Sequence, residues 1–165
     1  MKYTFIILLA VLSLSSCKEA NKKSYTITAI NLVAEGPLFD GPNTMQAAHT
    51  VDLSQIESGL LPEHIQSVKL TKAEVVSTDS VAFNNIRNFV FQVTSADAKM
   101  QKAGVLNPVP KNTPLVIISP AAEADLKENF MQKEIVLILD ADLEGDLDEN
   151  LSYTGNFEFE ITYKK

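Results

Sequence analysis

Tyr153-Thr154-Gly155-Asn156-Phe157-Glu158-Phe159-Glu160-Ile161-Thr162-Tyr163 decides the fold. Tyr153, Phe157, Phe159, Ile161 and Tyr163 share one parity, and Thr154, Asn156, Glu158, Glu160 and Thr162 share the other. Successive side chains of a strand point to opposite faces, so this alternation predicts a strand with one greasy and one wet face. That pattern belongs to an antiparallel sheet lying on a core. Tyr153, Phe157 and Tyr163 read as core packing rather than as a ligand groove, and Glu158 and Glu160 as solvated carboxylates rather than a glycosidase pair.

Working back through the chain, the same period recurs. Tyr25 to Val33 predicts a first strand, and Gly36, Pro37, Gly41 and Pro42 predict a turn-filled loop over Glu35 to Asn43. Met45, Ala47, His49, Val51 and Leu53 alternate next, which makes His49 a core or edge histidine. Ser54 and Glu57 fit an S-x-x-E capping box and predict a short helix over Ser54 to Leu60, ended by Gly59 and Pro62. Val68 to Ser77 is strand-like, with a parity switch near Thr71 and Lys72 that predicts a β-bulge. Phe89, Phe91 and Val93 form another strand after turn residues Asn84, Asn85 and Asn88. Ala96 to Val105 reads as either a short strand or a helical turn. Pro108, Pro110 and Pro114 make a rigid connection into Leu115–Ser119, a continuous apolar run that predicts a central strand. Ala121 to Phe130 predicts a second helix, and Ile135, Leu137, Leu139 and Ala141 one more strand. Seven or so strands, one or two short helices and no βαβ rhythm predict an all-β, mainly antiparallel, immunoglobulin-like β-sandwich over residues 24–165. The chain carries neither a Trp nor a Cys pair, so it holds none of that family's specific marks.

The N-terminus carries a different kind of signal. Lys2 precedes an apolar run from Tyr3 to Leu14, about the length of a signal-peptide core and short of the roughly 20 residues that span a bilayer. It ends in Leu14-Ser15-Ser16-Cys17, which resembles the lipobox of bacterial lipoproteins. The resemblance implies that residues 1–16 are removed, that Cys17 receives diacylglycerol, and that residues 17–23 are a flexible tether. Lys18 stands where Asp would signal inner-membrane retention, so the resemblance further implies an outer-membrane lipoprotein, facing the periplasm or the cell surface. Cys17 is the only cysteine, which excludes an intramolecular disulfide.

The formal net charge is −7, and it is unevenly distributed. Residues 17–119 hold nine basic and nine acidic side chains, whereas residues 120–165 hold four and twelve. No run of basic residues supports nucleic-acid binding or contact with anionic head groups, so membrane association is expected through the lipid anchor alone. Asp140, Asp142, Glu144, Asp146 and Asp148 alternate around Gly145. Asp140, Asp142 and Gly145 fit the first, third and sixth positions of a calcium loop, but Leu151 stands where a bidentate Glu is needed. The stretch therefore reads either as a Ca²⁺ site or as a solvated hairpin turn, Glu144 to Asn150, between the last two strands.

His49 and His64 lack zinc-motif partners, and neither a nucleophile elbow nor a phosphate-binding glycine loop occurs. These features predict a non-enzymatic envelope lipoprotein that binds an envelope protein or glycan through loops such as Glu35–Asn43 and Glu144–Asn150, with no cofactor apart from the Ca²⁺ considered above. One alternative is a carrier of an apolar molecule, with a cavity lined by Phe89, Phe91, Phe157 and Phe159. Another is a calcium-dependent adhesion or glycan-binding module.

Overall fold

The computed structural model describes residues 20–79 and 81–164. The alternating segment at the C-terminus forms strand β9 (Leu151–Tyr163), a central strand. It pairs antiparallel on one side with β1 (Asn21–Ala34) and on the other with β3 (Ile65–Val76). Tyr153, Phe157, Phe159, Ile161 and Tyr163 are buried as their parity requires.

The remaining strands are β2 (Gly41–Thr50), β4 (Ile86–Thr94), β5 (Gln101–Leu106), β6 (Leu115–Ile117), the two-residue β7 (Ser119–Pro120) and β8 (Glu134–Leu143). They stack as two sheets, ordered β1-β9-β3-β6 and β2-β8-β4-β5-β7. The pairings nest: β1 with β9, β2 with β8, β3 with β6 and β4 with β5. Such a set of concentric hairpins, rolled so that β9 also meets β3 and β8 also meets β4, is jelly-roll order. It replaces the expected immunoglobulin-like order, whose sheets set sequence neighbours side by side. Here only β4 and β5 are both consecutive and paired. Alternation reveals that a segment is a strand but carries no information about its distant partner.

Several local expectations change for identifiable reasons. Asn21, Lys22 and Lys23, the end of the expected tether, already belong to β1 and face Tyr163, Thr162 and Ile161. The Lys22 ammonium meets Glu160 at 2.7 Å, so polar side chains sit on a paired backbone. Residues 17–19 of that tether, and the whole of 1–16, lie outside the described residues. The helix expected over Ser54 to Leu60 is only a 3₁₀ turn, Leu53–Gln55. Asp52 caps it, accepting from the Ser54 N–H at 3.0 Å. Glu57 accepts the Tyr163 hydroxyl, and its N–H donates to the Leu53 carbonyl at 3.2 Å. The second helix shrinks to α1 (Lys127–Phe130). The bulge read at Thr71 and Lys72 is present, between Leu70 and Lys72.

The run Leu115–Ser119 is an edge strand that changes sheets. Val116 and Ile118 are buried while Leu115 and Ile117 are exposed. β6 closes against β3, and after Ile118 the chain crosses to β5 as β7. At this edge the Thr113 hydroxyl donates to the Leu115 carbonyl at 2.8 Å and accepts from the Leu115 N–H at 3.3 Å.

Aromatic rings fill the space between the sheets. Phe91 and Phe157 stack with centroids 4.4 Å apart, and Phe130 meets Phe159 at 4.8 Å. Phe83, from the β3–β4 connection, stacks on Tyr153 at 4.9 Å and pins that loop to the core. Gly155 lies under this layer: a Cβ there would come within 2.6 Å of the Phe157 ring and 3.2 Å of Leu32. Gly155→Ala is therefore expected to destabilise the domain by about 1–3 kcal/mol through overpacking. Gly145→Ala, with open space around it, should leave the urea midpoint unchanged.

Candidate functional site

The strands define two ends. The near end holds Asn21, Thr50, Ile65, Thr94, Gln101, Glu134 and Tyr163, and the far end holds Ala34, Gly41, Val76, Ile86, Leu106, Leu115, Leu143 and Leu151. The two loops expected to form contact surfaces, Glu35–Asn43 and Glu144–Asn150, meet at the far end. Leu38 and Leu147 bridge them through paired backbone bonds of 2.7 and 2.9 Å. Asp146 accepts from the Asp40 N–H at 2.8 Å, and Asn150 accepts from the Gly36 N–H at 2.8 Å. Glu144–Asn150 is thus a crossing between sheets, not the hairpin turn expected, because β8 and β9 lie in different layers.

The far end also gathers most of the uncompensated acid. Glu35, Asp40, Asp79, Asp142, Glu144, Asp146, Asp148 and Glu149 lie in or beside its loops, with Arg87 and Lys111 as the basic residues among them. Arg87, the chain's single arginine, reaches Asp40 at 2.6 Å and Asp142 at 2.8 Å. Lys111 reaches Glu144 at 2.6 Å and also donates to the carbonyls of Asn84 and Ile86. Asn84 and Asn112 exchange hydrogen bonds, and Asn112 takes the left-handed conformation that asparagine tolerates. These bonds tie four loops into one surface. Each exposed ion pair contributes at most about 1 kcal/mol, so the tie is positional more than energetic. Phe39, 64% exposed, and Val81, 53% exposed, stand on the loops of this end. A cleft of about 440 Å³ opens beside Val81, with Asp79, Asn85, Glu149 and Asn150 among its walls.

The residues considered for calcium do not converge. Asp140 and Asp142 occupy the solvent face of β8. Asp140 accepts from the Thr44 hydroxyl and the Gln92 amide, each at 2.6 Å. Asp142 takes Arg87 and Asn88, Glu144 takes Lys111, and Asp146 takes the Asp40 N–H. Asp148 lies on the same crossing, its carbonyl oxygen against Gly36. Among the described residues no three His, Cys, Asp or Glu side chains are grouped as metal ligands would be. Alternating residues along a strand share a face, but Asp140 and Asp142 are each turned to partners on the neighbouring strands rather than toward a common point. Phe89, Phe91, Phe157 and Phe159, considered as cavity walls, are buried against other rings and occupy the interior. Glu158 accepts from Ser24 at 2.6 Å and Glu160 pairs with Lys22, so neighbouring β1 engages both. Cys17 lies outside the described residues.

Sequence reasoning missed Arg87 and Lys111. The signal was slight: one arginine among lysines, a residue whose planar fork suits bridging two carboxylates.

His49 is half-buried near the other end, 3.0 Å from the Tyr25 hydroxyl. That hydroxyl also accepts from the Asp52 N–H at 3.1 Å, and its own proton can go to Nε2 of a neutral imidazole protonated on Nδ1. His64 lies in a loop turn, its Nδ1 accepting from the Leu61 N–H.

A comparison with protein-family models finds none that matches, and a search of curated proteins finds no significant match.

Burial holds the His49 imidazole below its ordinary value of 6.5. The unfolded chain then binds the proton more readily, so the stability contributed by neutral His49 is complete above about pH 6.5 and is lost as pH falls below it. Urea midpoints measured from pH 7.5 to 5 should fall in the native chain and fall less in His49→Gln. Melting temperatures in millimolar calcium and in EDTA should coincide, because the carboxylates considered for the ion are engaged elsewhere. A bound ion at 100 times its Kd would add about 2.7 kcal/mol.

Proposed function

We propose that the chain is a lipid-anchored, non-enzymatic binding module of the bacterial cell envelope, held at the outer membrane through Cys17. It presents its acidic far-end loops to a partner with a basic surface. The observation that carries this reading is the position of Asn21. It opens β1 at the near end, four residues after Cys17, a span of at most about 14 Å of extended chain. Strand β1 then runs 14 residues to the far end, about 45 Å at strand rise. An anchor at Cys17 leaves the sheets as a stalk and the Arg87-tied loops as its outermost surface. Exposed Phe39 and Val81 among carboxylates fit a contact in which an aromatic anchor is ringed by charge. Loops carried on a rigid sandwich are where binding residues concentrate.

The Cys17→Ser chain is expected to remain unprocessed, keeping residues 1–16 and gaining no acyl mass, while the native mature protein carries diacylglycerol mass on its N-terminal residue. A photo-crosslinker at Phe39 should capture a partner in intact cells, and one at Thr154 on the outer face of β9 should not. An N-terminal residue without acyl mass, or equal capture at both positions, would overturn the reading.

A further inference from the structure

The near end pairs an open apolar cleft with two exposed apolar side chains. The cleft, about 510 Å³, lies between the 3₁₀ turn after β2 and the segment following α1. Leu53, Leu60, Pro62, Phe130 and Met131 line it, and Lys133 stands at its wall. Leu61, 48% exposed, sits between two lining residues. Met100, 52% exposed, is in the β4–β5 loop, which the Asn129 amide of α1 holds through the Lys99 carbonyl at 3.3 Å. The loops carrying Leu61 and Met100 therefore both adjoin the α1 segment. The Lys23 ammonium donates to the Ile56 carbonyl at 3.2 Å, fixing the start of β1 against the turn that borders the cleft. The chain leading back to Cys17 thus leaves from beside it.

Charge separates the two ends further. Lys22, Lys23, Lys99, Lys127 and Lys133 lie at the near end, mixed with carboxylates such as Glu63 and Glu128, whereas the far end is dominated by acid. Leucine and methionine beside lysines suit a bilayer interface, where apolar groups enter the acyl boundary and long ammonium stems reach back to the head groups. An acidic far end is disfavoured near a negatively charged surface, which turns the molecule upright.

We infer that the near end is a membrane-docking face, and that its partner is the lipid bilayer that the Cys17 anchor enters. This rests on the lipoprotein reading above. Leu61 and Met100 enter the interface, the cleft receives lipid tails, and the sandwich stands end-on rather than swinging freely on its tether.

The acylated full chain permits a direct test, because acylation consumes its only native thiol. Single cysteines are introduced as Leu61→Cys, Met100→Cys, Phe39→Cys and Val81→Cys, all at exposed sites, and labelled with a polarity-sensitive fluorophore. The proteins are reconstituted into phosphatidylethanolamine–phosphatidylglycerol vesicles, with and without nitroxide-labelled lipid. Labels at 61 and 100 are expected to brighten severalfold and to be quenched by shallow nitroxides, with those at 39 and 81 unchanged. Vesicle-bound protein whose labels at 61 and 100 stay as water-exposed as that at 39 would overturn docking while leaving the anchor intact. Brightening that follows protein concentration without vesicles would assign the face to a second copy and overturn it as well. Absence of acyl mass on Cys17 would remove the anchor and the docking face together.

Discussion

Everything in this sandwich depends on the pairing of the last strand between the first and the third. β9 is bonded along both edges, to β1 and to β3, and its inward rings meet Phe91 of the facing sheet and Phe130 of α1. Until its residues arrive, β1 has no partner within its sheet and β3 has only the short β6. Contacts between residues so far apart in sequence impose a large loop-closure cost before they return any stability. Cooperativity follows: the hydrophobic layer cannot be half built, because the strand that closes it is the last one made.

What was legible in the chain follows from the range over which each signal acts. Alternation at 153–163 and 135–141, and the parity switch at Thr71 and Lys72, are set by a strand's own two faces, and the structure reproduces them. Partner choice is not encoded locally, so jelly-roll nesting was invisible and an immunoglobulin-like order was the default. The apolar run at Leu115–Ser119 misled because Leu115 and Ile117 are apolar side chains on the exposed face of an edge strand, so the sequence shows no polar parity even though only Val116 and Ile118 reach the core. The capping box gave no full helix: Asp52 accepts from the Ser54 amide and caps a shorter turn that begins one residue earlier, at Leu53.

The far-end surface was half legible. Turn residues marked its loops, and the acid count marked its charge. Their meeting through Leu38 and Leu147, and the bridging by Arg87, are consequences of topology. The same topology sends the alternating carboxylates to separate partners. Asp140 and Asp142 are spread along β8 and answer to Gln92, Thr44, Asn88 and Arg87 on the strands to either side.

Thr113 gives the molecule a property that matters most in a crowd. When copies of a protein meet at high concentration, exposed β-sheet margins are the places where identical chains zip together. By occupying both outward-facing backbone groups of Leu115, the threonine denies a neighbour its first rung, and Pro120 withholds an amide a few residues on. Where copies of the chain crowd together, the β6–β7 margin of the sandwich is therefore guarded against extension, and β1 and β2 are left as the longer open edges.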